Sequence, residues 1–272
     1  MATLPPAAVE FDRVNLAFDD NVVLNGLTFE VPSGSMRILL GASGAGKSLI
    51  LKLILGLLKP DSGAILVNGN RVTAMSEDDL LTMRADVGMV FQENALFDSL
   101  TVAENVGFRL YEASDMSLDQ VRARVEEVLN FLGLGEFIDR MPSTLSGGQR
   151  RRVGIARAMA SKPRLMLFDD STTGLDPVIS TSVDDEIVKL RDLQKVTSVV
   201  VSQQIRDAHY IATHRAVQTA DGRLEIVAEE NGRARFMVLH EGRIMFEGTA
   251  AELFDSKDQY LQRFLYRTLP PW

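Results

Sequence analysis

The stretch Gly41-Ala42-Ser43-Gly44-Ala45-Gly46-Lys47-Ser48 constrains this 272-residue chain more than any other. It fits the pattern GxxxxGK[ST] and lies between two apolar segments. Met36 to Leu40 precedes it as a strand, and from Lys47 the chain has the length and apolar content of a buried helix ending before Pro60. Glycines at these spacings let successive backbone N–H groups turn inward, and a helix N-terminus adds partial positive charge, so the loop is a cradle for phosphates. Lys47 then reaches the β and γ phosphates, and the Ser48 hydroxyl becomes a magnesium ligand, with Leu49 following in the helix. A plain glycine-rich turn is the competing reading, and the strand and helix on either side argue against it.

A second stretch needs explaining in that light. Leu165-Met166-Leu167-Phe168, entered through Lys162-Pro163, reads as a strand buried on both faces of a parallel sheet, and it ends in two carboxylates, Asp169 and Asp170. Ligands of open α/β folds bind beyond the carboxyl ends of such strands. Asp169 is then the strand-terminal metal partner of Ser48, and Asp170 lies next to the reacting phosphate. A turn opening with two solvated aspartates is the alternative.

The bulk properties exclude several classes. A formal net charge of −8 argues against a protein that coats nucleic acid, and no nucleic-acid partner is expected. With no cysteine there is no disulfide, thiolate metal site or catalytic thiol. MATLPPAAVEF lacks the charged and apolar regions of a secretory signal, and the most apolar window, Leu49 to Leu58, is short and contains Lys52. Any membrane role therefore needs a partner. Val9 to Phe18 and Val22 to Val31 predict an antiparallel hairpin turning at Asp19-Asp20-Asn21. Ser117 and Gln120 form a capping box for a helix whose apolar face is Val121, Val125, Val128, Leu129 and Leu132.

A further motif points to a family. Leu145-Ser146-Gly147-Gly148-Gln149 is the LSGGQ sequence, and with it the chain resembles the ATP-binding-cassette ATPases. Ser146, Gly147 and Gly148 open a helix expected over 150–160 and offer a second set of backbone donors to an anion. Arg150, Arg151 and Arg152 fall in its first turn, where cations oppose the helix dipole; a nearby anion would offset that, and a solvated face is the alternative. The resemblance runs over nearly the whole chain: Gln92 matches the glutamine loop, Asp176 in Gly174-Leu175-Asp176-Pro177 matches the D-loop, and Phe18 matches the aromatic that stacks on adenine. It implies an α/β P-loop NTPase fold with a mixed central sheet, an N-terminal antiparallel β-subdomain and an inserted helical subdomain, and ATP and Mg2+ as cofactors. One ATPase domain, 1–272, is expected, with a nucleotide-binding core over 1–92 and 161–212 and the helical subdomain over 93–160. Residues 213–248 form a β-hairpin extension and 249–272 a C-terminal helical tail.

What such a resemblance implies about the site is specific. Ser146, Gly147, Gly148, Gln149 and Asp176 join Phe18 and residues 41–49 as the nucleotide-binding set. Ser48, Gln92 and Asp169 hold magnesium, and Lys47, Gln92, Asp170 and Gln203 carry catalysis. One phosphate loop and one LSGGQ per chain imply a two-fold dimer with each ATP between two subunits. Without a span of its own, the chain would drive integral-membrane permease subunits through a groove near Gln92 to Phe108, with Leu96, Phe97 and Phe108 as contact candidates. The segment from Phe91 to Phe108 is similar to the ATPase subunits of Mce and Mla type phospholipid transporters. That similarity implies a peripheral protein on the cytoplasmic face of a bacterial inner membrane, with a lipid-binding envelope component as a further partner; an importer of small polar solutes is the alternative.

The chain departs from the family where turnover is decided. The position after the magnesium aspartate is normally glutamate, and Asp170 withdraws the carboxylate by about 1.5 Å; a misplacement near 1 Å can cost roughly a hundredfold in rate. Ser171 replaces the usual proline, and Gln203 replaces the switch histidine after the strand Val196 to Val201. Glutamine does not titrate but can orient a water or hold a phosphate. Slow hydrolysis or a hydrolysis-deficient regulatory cassette follows as an expectation. His209 and His214 are expected in structural roles. Turn dipeptides at Asp221-Gly222, Asn231-Gly232 and Glu241-Gly242 predict a meander of hairpins from Arg215 to Met245, with Asn231-Gly232 the strongest turn. Phe264, Leu265, Tyr266 and Trp272 of the tail are candidates to dock on a neighbour or on their own domain.

Overall fold

The computed structural model describes residues 7–92, 95–219, 222–229 and 232–268. Strands β1 (Ala7–Phe18) and β2 (Asn21–Pro32) pair antiparallel as the alternating sequence predicts, and Asp19 takes the left-handed conformation in the turn between them. With β4 (Ser62–Val67) and β5 (Asn70–Arg71) they make a four-stranded sheet in the order β2-β1-β4-β5. Facing it is a six-stranded sheet built from β3 (Met36–Gly41), β6 (Val87–Val90), β7 (Leu165–Asp169), β8 (Thr197–Val201), β11 (Ala234–His240) and β12 (Arg243–Gly248). Its order is β12-β11-β3-β8-β7-β6, parallel throughout except for the edge strand β12.

The continuous apolar runs of β3, β7 and β8 are explained by cover on both faces. Met36, Ile38 and Leu40 pack on the helical side of the sheet, while Leu39 packs with α1 (Lys47–Ile54) and the antiparallel sheet, as a period of two requires. The helical side carries α3 (Val102–Ala113), α4 (Leu118–Phe131) and α5 (Gly147–Met159), each opened by a capping box. In α4 the box is the expected Ser117 with Gln120, and Val121, Val125, Val128 and Leu129 are buried together with Leu132. Helix α2 (Glu77–Ala85) precedes β6, and α6 (Pro177–Leu193) and α7 (Ile205–Thr213) flank β8.

Two expectations are corrected. The helix of the LSGGQ segment begins at Gly147, three residues before the expected Arg150, because Ser146 rather than a later residue caps it: its hydroxyl accepts from Gln149 N–H, and the Gln149 side chain accepts from Ser146 N–H. The meander over Arg215 to Met245 is not one sheet. Strand β9 (His214–Gln218) pairs only with β10 (Leu224–Ala228) in a small separate sheet, tied to α6 by Ala216 N–H donating to Asp192 Oδ2 at 2.9 Å. Strand β11 instead enters the central sheet parallel to β3, its Phe236 to Leu239 run fully buried. Asn231 lies outside the described residues, and the described strands on either side, β10 and β11, belong to different sheets. Turn dipeptides report local geometry, whereas the pairing of β11 is set by a strand almost two hundred residues earlier.

The tail packs on its own domain. Helices α8 (Ala250–Phe254) and α9 (Gln259–Thr268) bury Leu253, Leu261 and Leu265, and Tyr260 stacks on His240 with ring centroids 3.7 Å apart. Phe264 is partly buried on the same core, Tyr266 is exposed, and Trp272 lies outside the described residues. His209 packs edge-on against Phe254, and His214 stacks on Tyr210, both structural roles as expected.

Candidate nucleotide site

Three neighbouring strands of the central sheet bring the chemistry together. Strand β3 delivers the phosphate loop, β7 delivers Asp169 and Asp170, and β8 between them delivers Gln203, with Asp169 and Leu39 both in register with Val201. Asp170 N–H donates to Val201 O at 3.0 Å and Ser202 N–H to Leu39 O at 3.2 Å, so the ladder continues past the strand ends into the site. An open cavity of about 210 Å³ is lined by Gly44, Gly46, Lys47, Ser48, Leu49 and Gln203. Gly46 has φ +96°, and a Cβ there would sit 2.7 Å from Val23 Cγ1, so only glycine fits this corner.

At the foot of the cavity the Ser48 hydroxyl donates to Asp169 Oδ1 at 2.7 Å. A hydroxyl and a carboxylate side by side are the hard oxygen donors that magnesium takes, and they fit that ion. Burial pushes the Asp169 pKa up, the Ser48 hydrogen bond pulls it down, and the neighbouring Asp170 charge adds to the rise. A bound cation would relieve both raising effects. Lys47 Nζ folds back on its own loop, donating to Gly41 O at 2.8 Å and Ala42 O at 2.9 Å; burial lowers its pKa, opposed by Asp170 and Asp169.

Asp170 and Gln203 are in contact. Gln203 Nε2 donates to Asp170 Oδ2 at 2.8 Å, and Gln203 N–H donates to Oδ1 at 3.3 Å. Two of the three departures from the family pattern therefore meet in one pair, buried at Asp170, where the backbone is left-handed with φ +50°.

Other expected site residues lie apart from this cluster. Gln92 is exposed and makes no hydrogen bond to Ser48 or Asp169 among the described residues. Asp176 caps α6, accepting from Val178 and Ile179 N–H at 3.1 Å each. The LSGGQ turn packs beside that cap: a Cβ at Gly148 would lie 2.4 Å from Ile179 Cγ2, and one at Gly147 3.3 Å from Leu175 Cδ2. Among the described residues, no hydrogen bond runs from Ser146 to Gln149 toward the phosphate loop. Phe18 is 45% exposed at the end of β1, available for stacking rather than part of the core.

The arginines of α5 are not on a solvated face. Arg150 donates to Leu145 O, Arg152 to Leu132 O at 3.2 Å, and the buried Arg151 to Phe91 O at 2.9 Å and to Gln92 O. Arg151 is the residue whose involvement the sequence left open; its one signal was a cation at the end of a helix that disfavours cations. Beside it, Phe91, Phe97 and Phe108 line a groove of about 490 Å³ and are each about two-fifths exposed, with the Phe97 and Phe108 rings 4.7 Å apart. Leu96 is partly buried on the core.

Known proteins resemble the chain along most of its length. A family profile described as ABC transporter matches residues 24–173. The protein trigalactosyldiacylglycerol 3, chloroplastic, of Arabidopsis thaliana is 36% identical over 267 residues, covering 94% of this chain and 72% of that one. The methionine import ATP-binding protein MetN of Corynebacterium glutamicum is 34% identical over 267 residues, covering 96% and 68%. The dimeric cassette MJ0796, solved in a post-hydrolysis state with ADP and Pi, superposes with a TM-score of 0.73 at 28% identity over 89% of this chain and 98% of that one. The cbiO1 subunit of the Clostridium perfringens cbiONQ transporter shares the fold, with a TM-score of 0.78 at 24% identity over 96% and 95%.

Proposed function

The chain belongs to the ABC transporter family of ATP-binding proteins, and from that premise we propose that it binds and hydrolyses ATP to drive a membrane permease whose cargo is a lipid. The observation that carries the reading is the convergence of Lys47, Ser48, Asp169, Asp170 and Gln203 at the ends of three adjacent strands. When bound, magnesium neutralises charge on the β and γ phosphates. Lys47 exchanges its two loop carbonyls for phosphate oxygens, replacing neutral acceptors with charged ones that make stronger hydrogen bonds. Asp170 accepts a hydrogen bond from the attacking water, and Gln203 keeps the short carboxylate aimed without exchanging a proton itself. Hydrolysis is slow on this account, because the carboxylate starts from a withdrawn position.

The signature residues Ser146 to Gln149 face a second copy of the chain, whose phosphate loop completes the pocket, and Asp176 and Phe18 contribute at the rim. The exposed Phe91, Phe97 and Phe108 groove takes the permease. Among the described residues no helix is long and apolar enough to cross a membrane. The placement as a peripheral subunit on the cytoplasmic face of a bacterial inner membrane rests on the Mce and Mla resemblance. The lipid assignment rests on the Mce and Mla resemblance of residues 91–108 and on a relative whose name is that of a glycolipid. The methionine importer at 34% identity favours the second reading, import of a small polar solute.

Steady-state phosphate release by the purified chain with magnesium and ATP tests the core of the proposal. Wild type should turn over, Lys47→Ala should lose binding and rate together, and Asp170→Asn should fall roughly a hundredfold or more while still binding ATP. Unchanged turnover in Asp170→Asn would remove that carboxylate from the mechanism. For the cargo, phospholipid should stimulate ATPase of the complex with its copurified permease; stimulation by methionine instead would replace lipid with a polar solute.

A further inference from the structure

We infer that Arg151 is a positioning residue for magnesium-dependent ATP binding: it fixes the peptide planes at Phe91 and Gln92 and so sets where the Gln92 side chain enters the metal site. This rests on the reading of Gln92 as a magnesium-side residue. Arg151 stands in the second turn of α5, 4% exposed. One guanidinium nitrogen, Nη1, donates to two successive carbonyls, Phe91 O at 2.9 Å and Gln92 O. Among the described residues the Gln92 carbonyl has no other donor, and the loop leaving β6 is next held at Ala95, whose carbonyl accepts from Arg157 of the same helix at 2.5 Å, and then at Phe97 and Leu100.

The placement is costly in every other respect, which is why a role is called for. Its Nε is buried without a hydrogen-bond partner, and no carboxylate of the described residues stands within ion-pair distance. A neutral residue at 151 would avoid both costs and lose the two carbonyl contacts. Partners one shell out from a metal typically change its affinity or activity about 10- to 100-fold when removed.

Binding of a fluorescent ATP analogue to the purified full-length chain, titrated with Mg2+ and repeated in EDTA, tests this without reading hydrolysis. Arg151→Met should raise the half-saturating Mg2+ about tenfold and leave binding in EDTA unchanged. Arg151→Gln, which keeps a donor without the charge, should fall between the two and guards against a misfolded Met variant. In a Gln92→Ala background Arg151→Met should add nothing further, since both act through one side chain. Equal losses with and without Mg2+, or additive effects in the double variant, would make Arg151 a plain packing residue. A wild type that binds ATP in this Mg2+-dependent way but never hydrolyses it would overturn the ATPase proposal and leave this inference standing.

Discussion

Asp170 shows what one methylene does. The sequence expects its carboxylate to be drawn back, and the structure finds the drawn-back group accepting from Gln203 through both oxygens, at 2.8 and 3.3 Å. Aspartate tolerates the left-handed backbone at this position better than most residues do. The identity of both residues was legible in the chain; their contact was not, because it depends on β7 and β8 lying side by side. Asp184 on α6 is a second case. Burial, then the charge of Asp207, pushes its pKa well above the usual carboxylate value. With the folded-state value raised, the stability it gives is full below the unfolded carboxylate pKa and is lost as pH rises through the folded value. Asp184→Asn, neutral throughout, should therefore raise the melting temperature by about 2–4 °C for each kcal/mol recovered, with the gain larger near about pH 9 than near about pH 5. Calorimetric scans showing the same gain at both would refute the assignment.

At the scale of elements, helices were read more faithfully than strands. Capping boxes and 3.6-residue apolar spacing are contained within one segment, so Ser117 with Gln120 specified α4 almost to the residue. The LSGGQ helix was placed late because its glycines look like loop; Gly148 is helical since only a residue without Cβ lets α6 approach there. Strand β11, expected in a β-hairpin extension, lies in the central sheet beside β3. Its position predicts unequal tolerance across the hairpin region. Phe236→Ala, fully buried in β11, should cost about 3–5 kcal/mol in denaturant unfolding. Leu224→Ser on the exposed β10 should stay within about 0.5 kcal/mol. Comparable losses at both positions would mean that β9 and β10 belong to the cooperative core.

For the whole molecule the decisive point is division of the site. The phosphate-loop cluster and the LSGGQ turn are both formed, yet the latter packs on α6 and makes no hydrogen bond to the former among the described residues. Two complementary patches on one chain close most simply as a two-fold dimer around two nucleotides, each patch meeting its complement on the other copy, so that the contact is made twice. Sedimentation of Asp170→Asn with saturating MgATP should give the dimer mass, and Ser146→Arg in that background should return it to monomer. A monomer in both would show that the free chain needs its permease to pair.

The sequence by itself determined the phosphate loop, the signature and the Ser117 cap of α4, because each rests on residues within a few positions of one another, and through its family resemblance it implied the α/β P-loop fold. The tertiary structure alone decided that Asp170 and Gln203 touch, that Arg151 grips the carbonyls of Phe91 and Gln92, and that β11 completes the central sheet. Those contacts join residues dozens to hundreds of positions apart, and whether such pairs meet is fixed by strand order and burial, which no local pattern encodes.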